Sequence, residues 1–109
     1  MANVFRNYPS RAIGTTNTAV FTGPVTAQTT VIGVTIANIL SNSIEVDLFL
    51  SVSGSNTYIV KNATIVKGGS LVPVGGDQKL VVEEGEILYV VSNTASSVDV
   101  VVSTLELTP

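Results

Sequence analysis

The stretch that decides the fold is SIEVDLFLSV, residues 43–52. Apolar side chains stand at every second position from Ile44 to Val52, and acids, serines and Phe49 fill the positions between them. A period of two is typical of an antiparallel strand with one face buried and the other in water. Phe49 is the exception on the polar face, and we expect it to be an exposed aromatic contact.

The composition extends this interpretation to the whole chain of 109 residues. Valine (19), isoleucine (8) and threonine (13) make up 40 residues, whereas alanine (7) and leucine (8) are scarce. Branching at Cβ favours a pleated sheet over a helix, so the default is an all-β domain. Only 12% of the residues are charged and 45% are hydrophobic, so intrinsic disorder is excluded.

Short apolar or alternating segments recur about every ten residues, with Gly, Asn and Ser between them. They predict eight or nine short strands in a single antiparallel β-sandwich, jelly-roll-like in form. Gly33 marks a bulge or a close approach inside its strand, and residues 86–92, apolar on both faces, indicate a central strand. The predicted strands are Ala19–Thr22, Thr30–Asn38, Ser43–Val52, Thr57–Lys61, Ala63–Val66, Leu71–Val74, Lys79–Glu83, Glu86–Ser92 and Ser97–Leu107.

The last predicted strand changes phase along its length. Val98, Val100 and Val102 share one parity, while Leu105 and Leu107 have the other. A bulge near Ser103 would reconcile them. Alternatively, the two ends of the strand bury opposite faces, one against the core and the other against a neighbouring molecule.

Residues 1–14 differ from the sandwich domain expected over residues 15–109. The segment holds Arg6 and Arg11 and no acid, a charge of +2, whereas residues 15–109 hold three lysines and eight acids, a charge of −5. It also holds Phe5 and Tyr8, and Pro9 is expected to block regular strand pairing. We therefore expect an extended N-terminal arm that docks on another surface.

Residue types exclude most chemistry, so we expect no enzymatic activity and no catalytic, cofactor or metal site. The chain has no His and no Cys, and its three lysines lack a Ser-x-x-Lys context for activating a nucleophile. The acids of residues 83–86 and the glycines of residues 67–70 and 74–77 are expected to form turns. A net charge of −3 argues against a nucleic-acid-binding function, and no apolar run is long enough for a membrane helix.

Several segments together resemble small β-rich virion proteins of tailed bacteriophages, particularly marine and cyanobacterial ones. The resemblance covers about residues 15–107 and lies in the pattern of strands and turns. It implies a structural subunit present in many copies, on the head as a decoration (cement) protein or on the neck and tail. The segments are TYIVKNA (57–63), VKGGSL (66–71), GGDQKLVVE (75–83) and ASSVDV (95–100), with Leu105-Glu106 at the end.

The function expected from these features is that of a capsid decoration protein in the virion, assembled in the host cytoplasm. Its partners would be copies of itself, with a trimer favoured, and the major capsid or a neck or tail protein, without nucleic acid or membrane. The expected assembly contacts are Phe5, Arg6, Tyr8, Arg11, Phe49, Leu105 and Leu107.

Two alternatives remain open at this stage. One is a neck, tail or baseplate subunit. The other is a carbohydrate-binding β-sandwich, whose sugar platform would need exposed aromatics. Tyr58, Phe49 and Tyr89 are the aromatics of the sandwich domain's later strands, and alternation does not place two of them on one exposed face.

Overall fold

The computed structural model describes the backbone of residues 2–108 and the side chains of residues 3–107. Every regular element in this range is a strand, and strands make up 68% of these described residues. No helix within it could cross a membrane. The strands are β1 (Ala2–Ile13), β2 (Thr18–Thr22), β3 (Gln28–Asn38), β4 (Ile44–Val52), β5 (Ser55–Ile65), β6 (Ser70–Val74), β7 (Leu80–Val82), β8 (Ile87–Ser92) and β9 (Val98–Thr108).

The strands form two antiparallel sheets packed as a sandwich. Sheet 1 has the order β1-β9-β3-β6, with β7 also paired to β3, and sheet 2 has the order β2-β8-β4-β5. Because β6 and β7 pair with different halves of β3, they act as one interrupted strand. Eight strand positions in two sheets, with the chain repeatedly crossing between the sheets, are the features of a jelly roll. The predicted fold class is confirmed.

The core lies between the sheets and consists mainly of β-branched residues and leucine. Val34 and Ile36 of β3 face Leu48 of β4 and Val90 of β8, all fully buried. Strand β8 lies between β2 and β4, so the prediction that residues 86–92 form a central strand is confirmed. Leu88 and Val90 are fully buried in the core, whereas Ile87 and Val91 on the other face are half-buried.

Strand β3 contains the bulge predicted at Gly33. The register between β3 and β9 shifts between Val31 and Gly33, and the extra residue changes which parity faces inward. Val31 is therefore buried together with Val34 and Ile36, whereas Ile32, expected on that face, is only half-buried.

Strand β5 is one strand, and the expected break at Asn62 is wrong. Asn62 takes a left-handed conformation (φ 51°) inside the strand. Its N–H donates to Asp47 Oδ1 of β4 at 2.7 Å. The side chain of Asp47 thus supports an irregular position that the sequence indicated as the boundary between two short strands.

The N-terminal segment pairs regularly with β9, so the expectation that Pro9 blocks pairing is wrong. The register runs without a shift from Ala2↔Thr108 to Ser10↔Val100, with Pro9 opposite Val101. Strand β1 is the edge of sheet 1, and an edge strand has one side without a partner, where proline's missing N–H is tolerated. Residues 2–13 are therefore the edge strand of sheet 1 and part of the sandwich, and not a segment lying outside it.

Candidate functional site

Inward and outward side chains alternate without interruption along β9. The bulge expected near Ser103 lies instead on β3, the strand paired with β9 in the same sheet. Thr104 and Glu106 are buried and continue the inward series of Val98, Val100 and Val102. Leu105 and Leu107 consequently point to the outer face of sheet 1, where each is half-buried. The strand therefore turns the same face inward along its whole length, and only its apolar residues change face, from inward valines to outward leucines. Burial of Leu105 and Leu107 against a neighbouring molecule stays a prediction.

A row of mostly apolar side chains, interrupted by Thr30, crosses the outer face of sheet 1 at this end. Phe5 pairs with Leu105, Leu105 with Thr30 and Thr30 with Val81, and directly paired residues project from the same face of a sheet. Phe5 is 71% exposed and Val81 62% exposed. We call Phe5, Leu105, Leu107 and Val81 the outer patch.

A cleft of about 570 Å³ lies beside the outer patch, lined by residues 25–30, residues 81–84 and Leu107. Its walls are held together at Gly23, whose N–H donates to Glu86 O at 2.8 Å and whose carbonyl accepts from Gly85 N–H at 3.0 Å. A Cβ on Gly23 would stand 2.0 Å from Glu83 O. Only glycine therefore allows this approach of the two loops.

The cleft combines an apolar wall with polar groups. Val25, on one wall, is 72% exposed. Thr29 is buried, and its hydroxyl has no hydrogen-bond partner among the residues that the structure describes. Buried hydroxyls nearly always have a partner. Glu83 and Glu84 stand exposed on the rim.

Glu106 is a buried carboxylate next to Thr29 in the β3–β9 register. Tyr8 donates its hydroxyl hydrogen to Glu106 Oε2, Thr104 Oγ1 donates to the same oxygen at 3.1 Å, and Arg6 Nε lies 3.7 Å from Oε1. Burial, the hydrogen bond to Glu106 and its negative charge raise the pKa of Tyr8. The sequence did not indicate this cluster. Glu106 occupies an inward position where an apolar residue is expected, so the alternation was interpreted as changing parity before Leu105.

The expected arm contacts therefore divide into two groups. Tyr8 is half-buried and packs on Phe21, with ring centroids 4.9 Å apart, so it belongs to the interior of its own sandwich, and its role as an assembly contact stays a prediction. Phe5 and Arg11 are exposed, and Arg6 keeps 57% of its side-chain surface exposed despite the ion pair with Glu106.

The expected exposure of Phe49 is also wrong. Phe49 lies on the outer face of sheet 2, but its register partners Tyr58 and Tyr89 cover it, with ring centroids at 5.0 and 5.4 Å, and leave 2% exposed. All three aromatics thus share one face of sheet 2, a grouping that alternation alone did not indicate. Tyr58 is 45% exposed and is the accessible member of this group.

Polar groups flank these aromatics. Lys61 Nζ lies 4.4 Å from the ring centroid of Tyr58 and donates to Asp47 Oδ2 at 3.3 Å. The hydrogen bond to Asp47 raises the pKa of Lys61. A shallow cavity of about 150 Å³, lined by Glu45, Asp47, Asn62 and residues 91–93, lies next to them.

The acidic segment of residues 83–86 forms a turn in which Glu86 Oε1 accepts the N–H of Glu83 at 3.0 Å. Within residues 2–108, no group of three or more metal-ligating side chains lies together.

Comparison with known proteins identifies a relative by fold alone. A solved structure of Bacillus endospore appendages, described as a family of disulfide-linked pili, contains a similar chain. The two align with a TM-score of 0.61 at 12% identity, over 98% of this chain and 87% of that chain. No protein-family profile and no curated protein matches the sequence.

This similarity shows the fold and not the function. The present chain contains no cysteine, so the disulfide links of those pili have no counterpart here.

Proposed function

We propose that the chain is a non-enzymatic structural subunit that assembles with copies of itself through the outer patch of sheet 1. The observation that carries the proposal is the row from Phe5 through Leu105 to Val81, continuous with Leu107 and the apolar wall of the cleft. Contiguous exposed apolar surface on a small domain marks an interaction site. Burying it against another copy would also add stability to a domain that has no cysteine and hence no disulfide.

The structural neighbour supports the general character of this proposal. That chain belongs to appendages that form pili, so a sandwich of this shape is compatible with a repeating assembly. Because this chain lacks cysteine, its copies would be held by non-covalent contacts.

We propose more narrowly that the assembly is a bacteriophage virion, with the subunit decorating the capsid and a neck or tail position as the alternative. The sequence resemblance supports this placement, and the jelly roll is a fold that viral capsid domains use. The trimer and the capsid partner expected from the sequence remain predictions.

Replacing Leu105 by Asp tests the proposed function. Leu105 is half-exposed in the centre of the outer patch, so a carboxylate there is tolerated by the monomer but disfavoured in an apolar interface. We expect the wild type to form oligomers whose fraction rises with concentration, and Leu105→Asp to stay monomeric, as measured by light scattering after gel filtration. Circular dichroism should show both folded.

The matched control is Tyr58→Ala, which removes an exposed aromatic from the opposite sheet. This variant should assemble like the wild type. A wild type that is monomeric at every concentration, or a Leu105→Asp variant that assembles normally, would contradict the proposal.

The carbohydrate-binding alternative has one observation in its favour, namely that Tyr58, Phe49 and Tyr89 share a face beside Asp47 and Asn62. Binding to a glycan array that disappears in Tyr58→Ala would support it. Because Phe49 is covered, the aromatic platform consists chiefly of Tyr58.

A further inference from the structure

We propose that the cleft lined by residues 25–30, residues 81–84 and Leu107 receives the Phe5-Arg6 segment of a second copy of this chain. This inference rests on the proposed self-assembly and adds the contact that builds it. The phenyl ring of Phe5 would lie against the apolar wall, and the guanidinium of Arg6 would face the acidic rim.

The cleft has the shape and chemistry for such an occupant. Its volume of about 570 Å³ is within the range of sites that enclose a small molecule, about 300–1,000 Å³. Val25 and Val81 are exposed, so an aromatic side chain between them would remove apolar surface of both partners from water. Phe5, the most exposed aromatic of the described residues at 71%, has no cover in its own chain.

The charges of the two surfaces are complementary. Glu83 and Glu84 are exposed on the rim and take part in no ion pair within the described residues. The arm carries Arg6 and Arg11 and no acid. The ion pair between Arg6 Nε and Glu106 Oε1 is long at 3.7 Å, and 57% of the Arg6 side-chain surface remains exposed. Arg6 is therefore accessible to a carboxylate of another molecule.

The occupant has to come from another copy. Phe5 and Val81 stand at opposite ends of one row across β1, β9, β3 and β7. Three strand spacings separate them by about 14 Å. The arm is held in this place by regular pairing with β9, so a chain cannot fill its own cleft without giving up β1.

Because every copy carries both the arm and the cleft, the contact can be arranged in two ways. In a two-fold dimer, two arms fill two clefts reciprocally, whereas a one-way contact repeats along a ring or chain of copies. The mass of the assembly distinguishes these forms, and either one requires the same residues.

Reversing the rim charge tests the inference. In Glu83→Lys/Glu84→Lys, the rim would repel Arg6 of the second copy, and we expect self-association to weaken by roughly tenfold or more. The control is Glu45→Lys, which changes an exposed acid on sheet 2 and should leave association unchanged. Sedimentation equilibrium of the full chain measures both.

Disulfide trapping locates the contact, since the chain has no cysteine of its own. A tagged Asn7→Cys copy is mixed with an untagged Glu84→Cys copy and oxidised. Cross-linking requires Cα atoms within about 7 Å, so the mixed dimer should form in this pair and not when Glu45→Cys replaces Glu84→Cys.

The outcomes separate this inference from the proposed function. If Leu105→Asp abolishes assembly while the rim reversal has no effect, or if the trapped pair does not form, the cleft contact is wrong and self-assembly stands. If the wild type is monomeric throughout, both are wrong. Weakening by the rim reversal together with the trapped pair supports the contact.

Discussion

The hydroxyl of Tyr8 donates a hydrogen bond to the buried carboxylate of Glu106, so removing this hydroxyl should lower the stability of the sandwich. In Tyr8→Phe the ring can still pack on Phe21, but Glu106 loses a donor. We expect the free energy of unfolding to fall by roughly 1–3 kcal/mol, measured by urea denaturation at neutral pH. Tyr89→Phe is the control, because the hydroxyl of Tyr89 has no hydrogen-bond partner within the described residues, and it should change stability little.

The raised pKa of Tyr8 gives the same variant a pH signature. Its pKa in the folded protein lies above the ordinary value of 10.0, so the unfolded chain loses this proton first as the pH rises. The contribution of Tyr8 is fully present below pH 10 and is lost as the pH rises through its folded pKa. The stability difference between wild type and Tyr8→Phe should therefore shrink in alkaline solution. A difference that grows above pH 10 would contradict the assigned hydrogen bond.

At the scale of elements, the approach of the β2–β3 loop to the turn after β7 depends on Gly23. In Gly23→Ala, the new methyl group would stand 2.0 Å from a backbone oxygen, so the turn has to move. We expect a loss of roughly 1–3 kcal/mol in thermal or urea unfolding. Gly33→Ala is the matched control, since its Cβ would meet atoms only at 3.8 Å or beyond. Equal losses in both variants would show that the close approach is not decisive.

The elements also show how far the sequence could predict this structure. The strand of residues 43–52 and the bulge at Gly33 follow from local alternation and from glycine itself, and both were predicted. The cover of Phe49 was not, because it depends on register with Tyr58 and Tyr89 on two other strands. Pairing across such distances is set by topology, which a local pattern does not contain.

The candidate site shows the same limit. Leu105 and Leu107 were predicted as contacts from their parity, and the structure places both on the outer face of sheet 1. The cleft could not be predicted, because Thr29, Val81 and Leu107 come together only through the pairing of β3 with β7 and β9. Glu106 was missed because its partner Tyr8 lies 98 residues away in the chain.

At the scale of the whole molecule, the net charge of −3 separates into a basic segment of +2 and a body of −5. If the acidic rim receives the arm of another copy, charge attraction contributes to assembly alongside the apolar patch. Salt screens exposed charges, with a Debye length of about 10 Å at 0.1 M and about 3 Å at 1 M. Sodium chloride should therefore weaken the assembly of the wild type, as followed by sedimentation equilibrium over this range.

The comparison with Glu83→Gln/Glu84→Gln makes the salt experiment specific. This variant keeps the side-chain length and the apolar wall but lacks the rim charge. It should assemble more weakly than the wild type at low salt, and the two should converge as salt increases. If added salt strengthens the self-association of both proteins equally, apolar burial alone drives assembly and the charge separation does not contribute to it. The outer patch would then carry the contact through Phe5, Leu105 and Val81, independently of the acidic rim.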